Sequence, residues 1–254
     1  MKIYDCHLTY GASVNIQPYK NCDTFSDLLD AVDVSEIDGG LVRCRYSDNV
    51  GVRYGNGFAA RDVRSALDKG IFMRGVWAVL PPYTDETPKP EALFDEMKKN
   101  NIGAVYINPS VHRYVPDMLT LGKTLSVIEE NKIPIILSTE YGVSMELIYK
   151  IMRAFPRLRA LISDTDCWPN ARRLYPLISE YENAVLDLSY VMDAGGIEDM
   201  TSRFGAEKLL FGTGFPARYP GSVLAMVRGA DISERERELI LGKNLENILS
   251  EANL

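Results

Sequence analysis

The chain of 254 residues contains only two histidines, His7 and His112. A metal cage built from three or four imidazoles therefore cannot form within it. Cysteine is equally sparse: Cys6, Cys22, Cys44 and Cys167 are scattered, with no C-x-x-C pair. Zinc held by thiolates is excluded on that spacing. No run of Lys and Arg breaks a net charge of -7, which sets nucleic acid aside as a partner. No apolar run approaches the roughly 20 residues that span a bilayer, so a membrane is not an expected partner either. The opening MKIYDCHLTYG lacks the apolar region and cleavage site of a secretory signal. With its unpaired cysteines, a reduced, cytoplasmic chain is expected.

What is present is alternation. Hydrophobic residues make up 46% and charged residues 25%, the balance of a chain with a real core. Short β-branched runs recur about eight times: KIYDC, GGLVRCR, FMRGVWAVL, IGAVYI, IPIIL, LRALIS, AVLDLS and EKLLFG. Between them the apolar spacing predicts helices at 24–34, 58–69, 91–100, 118–131, 145–154, 170–181, 197–204 and 222–229. A terminal helix is predicted at 233–249, with Ser233 and Glu236 in capping-box spacing. Strand–helix alternation implies parallel pairing through right-handed crossovers. Eight such units in one domain, residues 1–254, predict an α/β fold, a (β/α)8 TIM barrel with an extra C-terminal helix. A doubly wound sheet is the competitor, but no G-x-G-x-x-G follows the first strand.

Chemistry in such barrels sits on the C-terminal ends of the strands. Alternation along strand 1 places Ile3, Asp5 and His7 on one face and Tyr4 and Cys6 on the other. The helix-facing side should be apolar, so Asp5 and His7 are expected at the mouth, where His7 either does chemistry or caps a loop. On strand 2 the same reasoning sends Arg43 and Arg45 inward. An unpaired buried guanidinium is costly, so each needs an anionic ligand or a carboxylate such as Asp5. Further mouth candidates are Glu140, Ser163, Asp164, Thr213 and Gly214. His112, in NPSVHRY, is either a packing residue or a site residue. Trp77, Tyr106 and Trp168 either line a pocket or, as aromatics on strands and helix starts more often do, pack the barrel. The segment RYGNGFAARDV reads as a loop over the mouth, with Gly55 and Gly57 permitting a tight turn.

Taken in order, these segments resemble the amidohydrolase-related barrels that include aminocarboxymuconate-semialdehyde decarboxylase, over nearly the whole chain. YDCHLTYG is similar to that family's first-strand D-x-H-x-H. NPSVHRY, FPRLRALISD and NAVLDLS resemble the segments around strands 4, 6 and 7. FGAEKLLFGTGFP resembles the strand 8 run ending G-[ST]-D-x-P, and SERERELILGKNLENIL resembles the terminal helix. The resemblance implies a metal-dependent-hydrolase scaffold that hydrolyses or decarboxylates small carboxylated substrates. It also implies a divalent metal held by the H-x-H, a later His and the strand 8 Asp. This chain departs from that pattern. Thr9 stands for the second His, Ser138 or Thr139 occupies the strand 5 position, Asp164 the strand 6 position, and Gly214 replaces the strand 8 Asp.

Three functional readings follow. One is an enzyme working without the family's zinc and without another cofactor, with His7, Glu140 and Asp164 as acid or base. Arg43, Arg45, His112 and Arg218 would then bind a small anionic molecule. Another is a non-catalytic binding or regulatory barrel, acting as a homo-oligomer or beside an active paralogue. The third is a rebuilt site for Mg²⁺ or Mn²⁺ through Asp5, His7 and Asp164, with Glu140 and Asp187 nearby.

Overall fold

The computed structural model describes residues 1–12, 19–166, 168–252 and 254. Eight parallel strands follow one another in chain order: β1 (Tyr4–Tyr10), β2 (Gly39–Cys44), β3 (Phe72–Ala78), β4 (Ile102–Tyr106), β5 (Ile135–Ser138), β6 (Ala160–Ser163), β7 (Ala184–Asp187) and β8 (Leu209–Leu210). The chain leaving β8 meets β1, where the Cys6 amide donates to the Phe211 carbonyl and the Thr9 amide to the Phe215 carbonyl, each at 2.9 Å. The result is the expected (β/α)8 barrel with helices between its strands. Among the described residues no helix is long and apolar enough to cross a membrane.

Two apolar layers follow from strand alternation. Leu41, Val76, Ala104, Leu161, Val185 and Leu210 fill the barrel interior. Val42, Cys44, Val105, Ile162 and Leu186 face the helices. Residues two positions beyond an interior one therefore point to the mouth: Arg43 after Leu41, Tyr106 after Ala104, Ser163 after Leu161, and Asp187 after Val185. Strand 1 breaks the rule. Its register shifts between Asp5 and Leu8, and Cys6 joins the interior set rather than the helix side. Tyr4 packs against the same interior set while Ile3 lies on the helix side, so the expected faces of strand 1 are reversed at its start, and the irregularity lies between Asp5 and Leu8.

The helices match the predicted periods, with one correction. Helix Val52–Asp68 covers the segment expected to be a loop over the mouth. Gly55 lies within it because a Cβ there would stand 2.0 Å from the Ser47 amide nitrogen; close approach, and not a turn, calls for the glycine. The terminal helix begins at the Ser233–Glu236 capping box and runs through a π turn, Leu239–Lys243, into Asn244–Glu251. Its Leu245, Ile248 and Leu249 join the interior cluster. Leu249 reaches the start of β4, where a Cβ on Gly103 would stand 2.9 Å from it. The helix thus plugs the end of the barrel opposite the mouth. Trp77 packs as expected, its indole donating to the Asn56 carbonyl at 2.9 Å. Trp168 does not pack, being 68% exposed. Cys6, Cys22 and Cys44 are free and buried; Cys167 lies outside the described residues.

Candidate active site

Two polar clusters occupy the C-terminal ends of the strands. The first is built on His7, whose side chain is 15% exposed. Its Nδ1 faces Asp187 Oδ2 at 2.7 Å, with Ser189 Oγ and Ser163 Oγ each at 3.2 Å and Asp164 Oδ1 at 3.9 Å. The Ser163 and Ser189 hydroxyls also donate to Asp187 Oδ2, at 2.5 and 2.9 Å. Every one of these partners crowds on Nδ1. The carboxylate fixes Nδ1 as a donor, and Nε2 has no bonded partner among the described residues. This is no Ser-His-Asp relay, because the serines stand on the same nitrogen as the carboxylate. It is an imidazole anchored at one end with the other end available.

Electrostatics follow from that packing. Burial works against a charge on His7, but Asp164 and Asp187 outweigh it and raise its pKa to about 9. Burial likewise pushes Asp187 up, yet His7 and the bonded hydroxyls hold it below the usual carboxylate range. Asp164 is pushed up by burial, with His7 opposing. It takes a hydrogen bond from Ser138 and sits at φ 57, a left-handed conformation that Asp tolerates better than most residues. Asp5 is spent elsewhere: it accepts from Thr213 Oγ1 at 2.5 Å, the Thr213 amide at 3.1 Å and the His7 amide at 2.7 Å. Burial raises it to about 6. Glu140 accepts from the Tyr190 hydroxyl. Arg218 lies over the Tyr190 ring, 3.2 Å from its centroid, and donates to the Ser189 carbonyl at 3.1 Å.

The second cluster is organised by Asp48. It pairs with Arg43, accepts from the Tyr106 hydroxyl at 3.0 Å and the Asn108 amide at 3.1 Å, and lies 3.4 Å from His112 Nε2. Burial pushes Asp48 up, but Arg43 and His112 pull harder and hold it well below the ordinary range. The Arg43 guanidinium also lies 4.9 and 4.7 Å from the ring centroids of Tyr106 and Tyr141. His112, 6% exposed along its side chain, contacts the Ser47 carbonyl at 3.2 Å, and its Nδ1 is buried without a partner. Arg43 is thus paired inside the barrel as the strand argument required, with Asp48 rather than Asp5. The sequence reading missed Asp48, and it named Asp187 only beside a metal option, not as the partner of His7. Strand parity would have found Asp187, two residues after Val185. Asp48 follows the strand in a short helical turn, Tyr46–Asn49, and offered no such signal.

Comparison with known proteins now bears on this geometry. An amidohydrolase family model matches residues 59–248, more than half of the chain. The chain belongs to the amidohydrolase family. No curated protein matches it. Among solved structures, the amidohydrolase chain is similar to an uncharacterized TIM-barrel protein from Bordetella bronchiseptica, at 19% identity and a TM-score of 0.74, covering 100% of both chains. It also resembles 2,6-dihydroxybenzoate decarboxylase from Rhizobium, at 14% identity and a TM-score of 0.70, over 98% of this chain and 99% of that one. Dihydroorotase from Campylobacter jejuni shows 14% identity and a TM-score of 0.64, over 98% and 83%. At these identities the likeness concerns the fold.

Of the positions where the amidohydrolase resemblance implies metal ligands, His7 keeps its imidazole with Nε2 unbonded among the described residues, and the others carry different groups. The Thr9 hydroxyl donates to the Phe215 carbonyl at 3.3 Å, and Ser138 donates to Asp164. Gly214 has no donor; a Cβ there would stand 3.5 Å from Cδ of Arg218. Among the described residues, no group of three or more His, Cys, Asp and Glu side chains is placed to hold a metal ion.

Proposed function

We propose that this amidohydrolase barrel acts on a small carboxylated substrate through acid–base chemistry at His7, without the metal that the family resemblance implies. The observation that carries the reading is the one-sided anchoring of His7, with Nδ1 on Asp187 at 2.7 Å and Nε2 left for a ligand. The donor set does not fit a divalent ion: a hydroxyl already bonded to a carbonyl, a glycine, and an arginine stem beside it make a poor cage for a hard cation or zinc.

The residues present support two related outcomes. In hydrolysis of an ester or lactone, Asp164 takes a proton from water, and Nε2–H of His7 gives one to the leaving alkoxide. In decarboxylation, the same proton goes to the carbon that loses carbon dioxide. Asp187 holds the ring through Nδ1–H throughout and offsets its positive charge until the Nε2 proton leaves. The decarboxylase and dihydroorotase among the structural neighbours fit this range of reactions.

The test is a panel of esters, lactones and aromatic carboxylates, assayed with and without chelator, alongside elemental analysis. Turnover that survives chelation, and falls by about 10²–10⁴ in His7→Gln, is the expected result. Stoichiometric metal with chelator-sensitive turnover would refute the metal-free reading.

A second reading, a non-catalytic binding barrel, is favoured by the self-pairing of Arg43 with Asp48, Glu140 with Tyr190 and Arg218 with Ser189. Robust hydrolysis of any panel member, lost in His7→Gln, rejects it.

A further inference from the structure

Arg45 is a guanidinium at the mouth that this pairing leaves without a partner among the described residues. It follows β2 directly, and its amide donates to the carbonyl of Tyr10, the last residue of β1, at 2.8 Å. That places it on the C-terminal face of the barrel. It is 8% exposed. Among the described residues its guanidinium has no carboxylate within ion-pair distance, and the residues left undescribed (13–18, 167 and 253) include no Asp or Glu. Burial, and then the neighbouring Arg43, depress its pKa.

Arg43 and Arg45 are two guanidinium groups, and Asp48 is the one carboxylate between them. Asp48 is fully engaged by Arg43, Tyr106, Asn108 and His112. The His112 contact to the Ser47 carbonyl places a proton on Nε2. The two guanidinium groups are thus one carboxylate short. An Arg side chain 8% exposed and without a protein partner keeps only a narrow contact with solvent, which an anion entering the mouth would replace. Its planar fork suits a carboxylate.

We propose that Arg45 is the anchor for one negative charge of the substrate, so that the site selects monocarboxylates over dicarboxylates. This deepens the proposed function and rests on it. Among the described residues, a second carboxylate on the ligand finds no further unengaged guanidinium at the mouth: Arg43 is committed to Asp48, Arg218 is turned onto the Tyr190 ring and the Ser189 carbonyl, and the charge of His7 is already offset by Asp164 and Asp187.

The experiment is calorimetric titration of the purified chain with benzoate and butyrate, with benzamide as the uncharged isostere, isophthalate as the dianion, and inorganic phosphate as a free anion. Tighter binding of at least one monocarboxylate than of benzamide, isophthalate or phosphate, by about tenfold or more, is expected. Arg45→Gln should weaken that binding by about tenfold or more, and should raise the ligand-free melting temperature because an uncompensated buried charge is gone. Arg45→Lys should recover part of the binding.

Benzoate and butyrate both failing to bind, phosphate binding in preference to them, or an Arg45→Gln protein that melts lower than the parent would each overturn the assignment. The two proposals separate cleanly. If Arg45 is wrong, Arg45→Gln leaves KM unmoved while turnover still depends on His7. If the proposed catalysis is wrong, binding through Arg45 persists in wild type and in His7→Gln, with no turnover.

Discussion

The carboxylates of the mouth differ in what a proton does to them. Asp48 is held well below its ordinary range by Arg43 and His112, so the folded state binds its proton less readily than the unfolded chain. Its contribution to stability is therefore fully present above about pH 4, the unfolded value, and is lost as the pH falls through the lower folded value. Asp48→Asn should flatten the acid limb of a stability-against-pH curve measured by denaturant titration. It should also lower stability near neutrality, because Arg43 is then buried without a partner. An acid limb identical to that of the parent would show the pairing to be energetically silent. Of the site residues named from sequence, His7 and Asp164 do come together, and Arg43 turns inward as parity required. Asp187 was legible in principle from the same parity. Asp48 was not, because a turn that leaves the strand has no period to read.

Helix Val52–Asp68 shows how one residue type serves two ends within an element. Gly55 is pressed against Ser47, whereas a Cβ on Gly57 would meet nothing within 4 Å. Gly57→Ala should therefore stabilise the chain by up to about 1 kcal/mol through helix propensity. Gly55→Ala should destabilise it by roughly 1–3 kcal/mol, the range of overpacking, since the atom to be displaced is backbone. Thermal melts of the two variants measure the contrast; equal shifts would mean that Ser47 yields freely. The segment was read as a loop because its two glycines suggested a turn, and the neighbour that explains one of them is eight positions away in the chain. Gly214 illustrates a different constraint. At φ +66 it sits in the left-handed region, where most side chains are strained.

At the scale of the molecule, closure depends on both ends of the chain. Strand β8 has only two residues, and the link to β1 is carried by Cys6–Phe211 and Thr9–Phe215. The terminal helix fills the floor of the barrel with Leu245, Ile248 and Leu249. Leu249→Ala should cost about 2–5 kcal/mol, the range for a buried Leu truncation, read as a lowered denaturation midpoint. A loss under 1 kcal/mol would indicate a floor that collapses around the gap. Among the described residues neither Arg45 nor His7 bonds to that helix, so ligand binding at the mouth should survive a variant that still folds.

The order of elements, the inward set on most strands, the terminal cap and the scarcity of imidazole were all decided by local residue pattern, because period and count are properties of neighbours along the chain. Which nitrogen of His7 is anchored, which guanidinium is neutralised and which is left over were decided only when eight strand ends met. Those outcomes depend on distances of about 3 Å between residues up to 180 positions apart, and no local spacing encodes them.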